Sequence, residues 1–163
     1  MSAQPNGLTD PAEAFREVFQ RHAVGVAVIA CGGAVPVGFT ATSVVSVSAD
    51  PPMLSFNIGH RTSSWPALRT AEHIAVNLLA AGQTDLARTF ATSGIDRFGA
   101  AGAWRRGPHG LPVLPGVLAW LGATVRGRFA AGDHSVVIAE VTDAHYTDAE
   151  PLLYHLRGFR SFT

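Results

Sequence analysis

Five hydroxyl side chains, Thr40, Thr42, Ser43, Ser46 and Ser48, are interleaved with Val44, Val45 and Val47 in a run that begins at Gly38-Phe39 and stops at Pro51-Pro52. β-Branched residues favour extended backbone, and short hydroxyl side chains place donors and acceptors beside the main chain. Such a strand lines a cleft with hydroxyls and backbone N–H groups while carrying no formal charge. It suits a polar ligand with several acceptors better than a metal ion or a nucleic acid. Taken alone, the same pattern also fits a Thr/Ser-rich strand on a solvated sheet face.

Three further groups lie downstream. Arg61-Thr62-Ser63-Ser64 precedes a short helix starting near Trp65-Pro66. Charge, hydroxyls and unpaired helix N–H groups together make an anion site, although Ser64 can equally cap that helix with Arg61 left in water. Asp96-Arg97-Phe98 reads on its own as a helix-terminal ion pair. Gly132-Asp133-His134 opens an apolar strand, with Gly132 permitting a tight turn and Asp133 able to fix the imidazole by hydrogen bonding. A lone His at a strand start is, out of context, more often structural.

Other chemistries find no support. No G-x-G-x-x-G follows a strand and no G-x-x-x-x-G-K-[ST] occurs, so neither a dinucleotide-binding βαβ unit nor a P-loop is indicated. The seven histidines are scattered singly, which disfavours zinc, and no G-x-S-x-G elbow is present.

The elements that must position these groups follow from local signals. Asp10 caps a helix with Pro11 in its first turn and Glu13 at capping-box spacing, and Phe15, Val18 and Phe19 share the face expected to pack on the body of the protein. Strands are expected at 24–30, 36–40, 43–48, 53–58, 73–79, 117–128, 135–144 and 152–155, with short helices at 63–70 and 84–91. Residues 93–115 form a long Gly/Pro-rich segment, a length that usually has a functional reason. Strands with short interspersed helices, lacking βαβ alternation, predict a mainly β antiparallel barrel. Residues 1–9 are expected to be disordered and 10–163 to form a single domain.

Twelve basic and twelve acidic residues balance, so no charge surplus points to nucleic acid or an anionic membrane. Only 15% of residues are charged and 47% are hydrophobic, which predicts apolar surface hidden in a homodimer. Cys31 is the sole cysteine, at the end of an apolar strand, and reads as a packed thiol. No leader pattern and no apolar span occurs, so a cytoplasmic location is expected.

In order and spacing, the hydroxyl run, Arg61-Thr62-Ser63-Ser64, Asp96-Arg97-Phe98 and Gly132-Asp133-His134 resemble the flavin reductase-like family. These are small NAD(P)H:flavin oxidoreductases that feed reduced flavin to partner monooxygenases. The resemblance runs from about Phe15 to Phe162. It implies a split β-barrel of FMN-binding type with Greek-key connections. It implies that Thr40, Ala41, Thr42, Ser43, Ser46, Val47 and Ser48 contact the isoalloxazine and ribityl groups, with Asn57 as a further polar contact. The phosphate would then rest on Arg61, Ser63 and Ser64, with Arg97 near it and Phe98 against the pocket. Gly132, Asp133 and His134 would border the nicotinamide. Phe159 is carried over to that site as well, from Arg157-Gly158-Phe159-Arg160, where the usual Gly-Arg-aromatic order is swapped. Many relatives carry Thr-Ala-Asn-Ser where this chain reads Thr40-Ala41-Thr42-Ser43, so an amide donor is lost at Thr42.

Hydride transfer needs cofactors bound and oriented rather than a protein acid or base, and none is assigned. The cofactors implied are FMN, or FAD, with NADH or NADPH, and the implied partner is a monooxygenase supplied by diffusion. Two alternatives stay open. A pyridoxamine phosphate oxidase-like flavoprotein would need an extra basic cluster, which the sequence does not show. A flavin carrier or sensor without catalysis would need only the flavin pocket.

Overall fold

The computed structural model describes residues 10–162, so the expected disorder at 1–9 lies outside the described residues. Helix α1 (Pro11–Phe19) starts as its sequence dictates, with Asp10 Oδ1 accepting the Ala12 N–H at 3.0 Å and Pro11 in the first turn. Its packing departs from expectation. No α1 residue is buried, and Phe15, Val18 and Phe19 are 61%, 62% and 55% exposed. The Phe15 and Phe19 rings lean on each other at 4.4 Å instead.

Strands β1 (Val24–Gly25), β2 (Ala27–Cys31), β3 (Val37–Ala41), β4 (Val45–Ala49) and β5 (Pro52–Gly59) follow. Then come α2 (Trp65–Leu68), β6 (His73–Leu78), α3 (Thr84–Ala91) and α4 (Arg97–Ala100). The chain continues through β7 (Arg105–Arg106), β8 (Pro112–Val113), β9 (Ala119–Ala131), β10 (His134–Tyr146), β11 (Leu153–His155) and β12 (Gly158–Arg160). The single strand expected at 24–30 is split at Val26, whose N–H turns away to the Leu152 carbonyl. The helix expected over 63–70 is one turn long.

Seven strands form one antiparallel sheet in the order β3-β2-β6-β9-β10-β5-β4. Four strands separate β3 from β5 in that order, yet the Phe39 and Phe56 rings approach to 6.3 Å. The sheet therefore curls on itself around Ile29, Phe39, Phe56, Ile58, Ile74 and Val137. No ladder joins β3 to β4, so the barrel is split rather than closed. On the opposite face, Val28, Ala30 and Ala75 pack against Phe90 of α3, Phe98 of α4 and Trp120. β2 and β6 are thus buried on both sides, and their near-continuous apolar sequence follows from that.

The 93–115 segment is more ordered than its composition implies, since it contains α4, β7, a 3-10 turn at Pro108–Gly110 and β8. Buried Asn77 explains this. Its amide donates to the Pro112 carbonyl at 3.3 Å and accepts from the Leu114 N–H at 2.9 Å, while Trp120 Nε1 donates to the same Pro112 carbonyl.

Cys31 is 5% exposed, and burial pushes its thiol pKa up. The native protein should therefore react slowly with a thiol reagent at neutral pH and rapidly once unfolded. Fast native labelling would contradict this packing.

Candidate functional site

The extended run from β3 into β4 passes four cavities in sequence. Gly38 lines one of 380 Å³ with Ser63, Ser64, Arg97 and Phe98. Thr40 and Thr42 line one of 440 Å³ with Phe159. Thr42, Ser43 and Asn57 line one of 690 Å³ beneath α1. Ser46 and Ser48 face an apolar trough of 590 Å³ formed with Leu54, Leu78 and Val141.

The first cavity is the most highly organised. Arg97 Nε donates to the Thr92 carbonyl at 2.8 Å, and Nη1 donates to the Gly38 carbonyl at 2.7 Å and to Ser64 Oγ at 3.0 Å. Nη2 donates to Ser63 Oγ at 3.2 Å. Four of five guanidinium N–H groups are thereby used, and one on Nη2 is left for a ligand. Burial pulls the Arg97 pKa below its ordinary value, but a guanidinium stays charged. No carboxylate pairs with it among the described residues. Asp96 instead caps α4 through the Gly99 N–H at 2.9 Å, which removes the ion-pair reading of Asp96-Arg97.

Ser64 occupies the N-cap position of α2, but its side chain makes no capping hydrogen bond. It is fully buried and donates to the Gly38 carbonyl at 3.1 Å. A partly buried cation flanked by neutral hydroxyls and lacking a counter-ion fits a phosphate. Phe98 forms the floor, held edge-on by Phe90 at 5.0 Å and Trp104 at 5.2 Å.

Arg61 lies elsewhere. It is exposed and does not line the Arg97 cavity, and its charge acts on Asp133. Gly132 takes φ +61° in the turn between β9 and β10, a conformation that favours glycine. Asp133 Oδ1 then accepts from His134 Nδ1 at 2.7 Å. That bond, followed by the charge of His134 and more weakly that of Arg61, lowers the Asp133 pKa. An ionised carboxylate only accepts, so the proton sits on Nδ1 and Nε2 is left open. A Cβ on Gly59 would lie 3.3 Å from that Nε2, so glycine lets the imidazole rest against β5.

In register, His134 pairs with Gly59 and Val136 with Asn57. His134 and Asn57 are both exposed and share the outer face, about 7 Å apart along the strand direction. Asn57 is itself fixed by Ser43, whose Oγ accepts the Asn57 N–H at 2.9 Å. The structure thus brings Ser43, Asn57 and His134 onto one surface.

The remaining expected residues divide. Thr40 donates to the Ala87 carbonyl at 2.6 Å, tying β3 to α3, and offers only its lone pairs to a ligand. The Ala41 side chain is buried in the curl of the sheet, leaving its backbone for contact. Ser46 and Ser48 turn toward the trough, whereas Val47 points outward and is 52% exposed. Phe159 sits with Thr40 and Thr42, apart from the Asp133-His134 turn. Arg88 and Arg157 line that same cavity and were missed in the sequence, because they lie far apart in the chain.

Comparison with known proteins adds an independent observation. Residues 19–163 match the model of a family described as flavin reductase like domain. A Rhodococcus erythropolis protein named NADH:FMN oxidoreductase is 42% identical over 147 residues, 86% of this chain and 77% of that protein. A Rhodococcus opacus protein, named as the reductase component of a 4-nitrophenol 4-monooxygenase/4-nitrocatechol 2-monooxygenase, is 36% identical over 94% of this chain and 82% of its own length. Among solved structures, the NADH:FAD oxidoreductase of Streptomyces globisporus, in complex with NAD and FAD fragments, superimposes with a TM-score of 0.90. It is 33% identical, and the match covers 96% of this chain and 97% of that one.

Proposed function

This chain belongs to the flavin reductase-like family, and from that premise we propose that it is an NADH-dependent flavin reductase with FMN as the favoured flavin. The observation that carries the flavin site is the Arg97 cluster, a counter-ion-free cation cradled by Ser63, Ser64 and the Gly38 carbonyl. These groups bind the flavin phosphate, with Phe98 beneath. Ser43, Asn57, Thr42 and the β3 backbone at Thr40 and Ala41 line the way to the ring. His134, set by Asp133 and Gly132, borders the nicotinamide. When bound, the nicotinamide supplies a hydride and the flavin accepts it, so the protein's contribution is to hold and align the two.

Reduced flavin then passes to a separate monooxygenase, a role supported by the relative named as a reductase component. Residues 10–163 act as one flavin-binding unit. No described helix is long and apolar enough to cross a membrane. A panel of FMN and FAD against NADH and NADPH tests the proposal. NADH oxidation should be fastest with FMN, and an absence of flavin-dependent oxidation in all four pairings would refute it.

The unit works as a homodimer. The open aromatic face of α1 and the trough at Leu54, Leu78 and Val141 are apolar surfaces of the kind that subunits cover. Ser46, Val47 and Ser48 would lie at that interface. Light scattering should give a mass near twice 17.1 kDa, and a stable monomer at micromolar concentration would sink the interface.

A further inference from the structure

His60, half-buried at the end of β5, grips the chain on both sides of His134. Its backbone N–H donates to the Asp133 carbonyl at 2.9 Å. Its ring turns back along β10, where Nε2 lies 2.9 Å from Ser135 Oγ. The two residues held are the immediate neighbours of His134, one before it and one after. In register His134 pairs with Gly59 and Ser135 with Ile58, so His60 stands just beyond the last paired residue of β5. Side chains alternate along a strand. Ser135 is accordingly buried at 4% exposure on the side of core residue Val137, whereas the His134 side chain is 51% exposed. His60 therefore anchors, from the inner side, the strand end that presents His134 on the outer side.

The His60 ring is itself held. Trp65, at the start of α2, packs against it with ring centroids 4.9 Å apart and planes inclined at 39°. The loop between them is tied down, since the Thr62 N–H and Oγ1 both donate to the Gly59 carbonyl, at 3.2 and 2.9 Å. The Trp65 N–H donates in turn to the Thr62 carbonyl at 3.1 Å. Trp65 follows Ser64, which donates to the Gly38 carbonyl and accepts from Arg97. A chain of contacts thus runs from the Arg97 cluster through Trp65 and His60 to the Asp133-His134 turn. Taking the imidazole away leaves the buried Ser135 hydroxyl without this partner, which costs free energy. The strand end lies beside a turn and can shift to recover a hydrogen bond.

We propose that His60 is a positioning residue for hydride transfer, fixing residues 133–135 so that His134 keeps its place beside the nicotinamide. This deepens the flavin reductase reading and rests on its assignment of His134. His60 touches neither cofactor and acts only through the segment it holds. Alignment of reacting groups is sensitive to displacements of about 1 Å, so a shifted turn has a kinetic consequence.

Three variants isolate the contact. H60F keeps a flat ring against Trp65 and removes the bond to Ser135, H60Q returns an amide near the position of Nε2, and S135A removes the same bond from the other side. S135A keeps the test intact if H60F folds poorly, and thermal transitions check each protein. H60F and S135A should raise the KM for NADH about three- to tenfold, with the FMN dissociation constant within about twofold of wild type. H60Q should recover part of the loss. In the H134A background, H60F should change the KM by less than about twofold, because the residue it positions is gone. An independent readout is NMR of the labelled histidine rings. The His134 signal, identified by its loss in H134A, should move in H60F and S135A and return toward its wild-type position in H60Q. An unmoved His134 signal overturns the proposal, as does wild-type NADH kinetics in both H60F and S135A. An equal rise in KM with and without His134, or an equal weakening of FMN, also overturns it and leaves His60 a general prop of the fold. Wild-type NADH kinetics in H134A would instead refute the nicotinamide assignment, while a moved signal would still show that His60 sets the place of His134.

Discussion

Replacing Arg97 by alanine should weaken FMN binding by roughly 10- to 100-fold, since a charge-assisted hydrogen bond contributes about 1.5–3 kcal/mol. Riboflavin, which lacks the phosphate, should lose far less. The side chain has a second role that the experiment must separate. Arg97 donates to Ser64 Oγ, the Gly38 carbonyl, Ser63 Oγ and the Thr92 carbonyl, so its removal also frees α4 from β3. Stability should fall by an amount comparable to one such bond, and the flavin comparison is made on folded protein well below the thermal transition. Fluorescence titration of both flavins reads the difference. Equal weakening of FMN and riboflavin would mean that Arg97 acts through the fold alone. Arg61→Ala provides the contrast, because Arg61 stands near Asp133 and should leave FMN affinity nearly unchanged.

His134→Ala should raise the KM for NADH or slow flavin reduction about tenfold, with the flavin dissociation constant unaltered. The imidazole is exposed on the same face as Asn57 and is oriented by Asp133, so it can meet a ligand laid along that surface. Asp133→Asn should give a weaker version of the same phenotype, since the ring loses its anionic partner. The pH dependence follows from the sign of the Asp133 shift. A depressed carboxylate pKa means that the contact is intact above the ordinary value of about 3.9 and is lost only as pH falls through the lower, folded-state value. Its geometry should therefore hold across the neutral range. Stopped-flow reduction at varied NADH checks the assignment, and wild-type kinetics in His134→Ala would return the residue to a structural role.

Much of this was legible in the chain because the signals are local. The Asp10-Pro11 helix start, the Gly132 turn and the Asp133–His134 contact each involve neighbours in sequence. The antiparallel barrel was legible in the strand pattern, but its split form came only through the family resemblance, since the Phe39–Phe56 contact joins distant strands. Long-range assembly hid the rest. Arg97 reaches Ser64 across 33 positions and Gly38 across 59, so no motif could show that Arg97, rather than Arg61, lines the Ser63-Ser64 cavity. Arg88 and Arg157, far apart in the chain, line one cavity with Thr40 and Thr42. The α1 expectation failed for a different reason. A 3.6-residue apolar stripe reports that a face seeks cover without reporting what covers it, and Phe15, Val18 and Phe19 are open on this subunit. Asn77 carries no local signal of its role, yet it is buried and holds the 112–114 backbone.

The central claim is that this chain aligns a nicotinamide with a flavin. Its most direct test is anaerobic mixing of the purified protein and FMN with NADH while flavin absorbance is followed. The account predicts rapid, protein-dependent bleaching that saturates with NADH and is recovered on admitting air. A protein that binds FMN but leaves its absorbance unchanged beyond the rate without protein would contradict it, and would make the chain a flavin carrier.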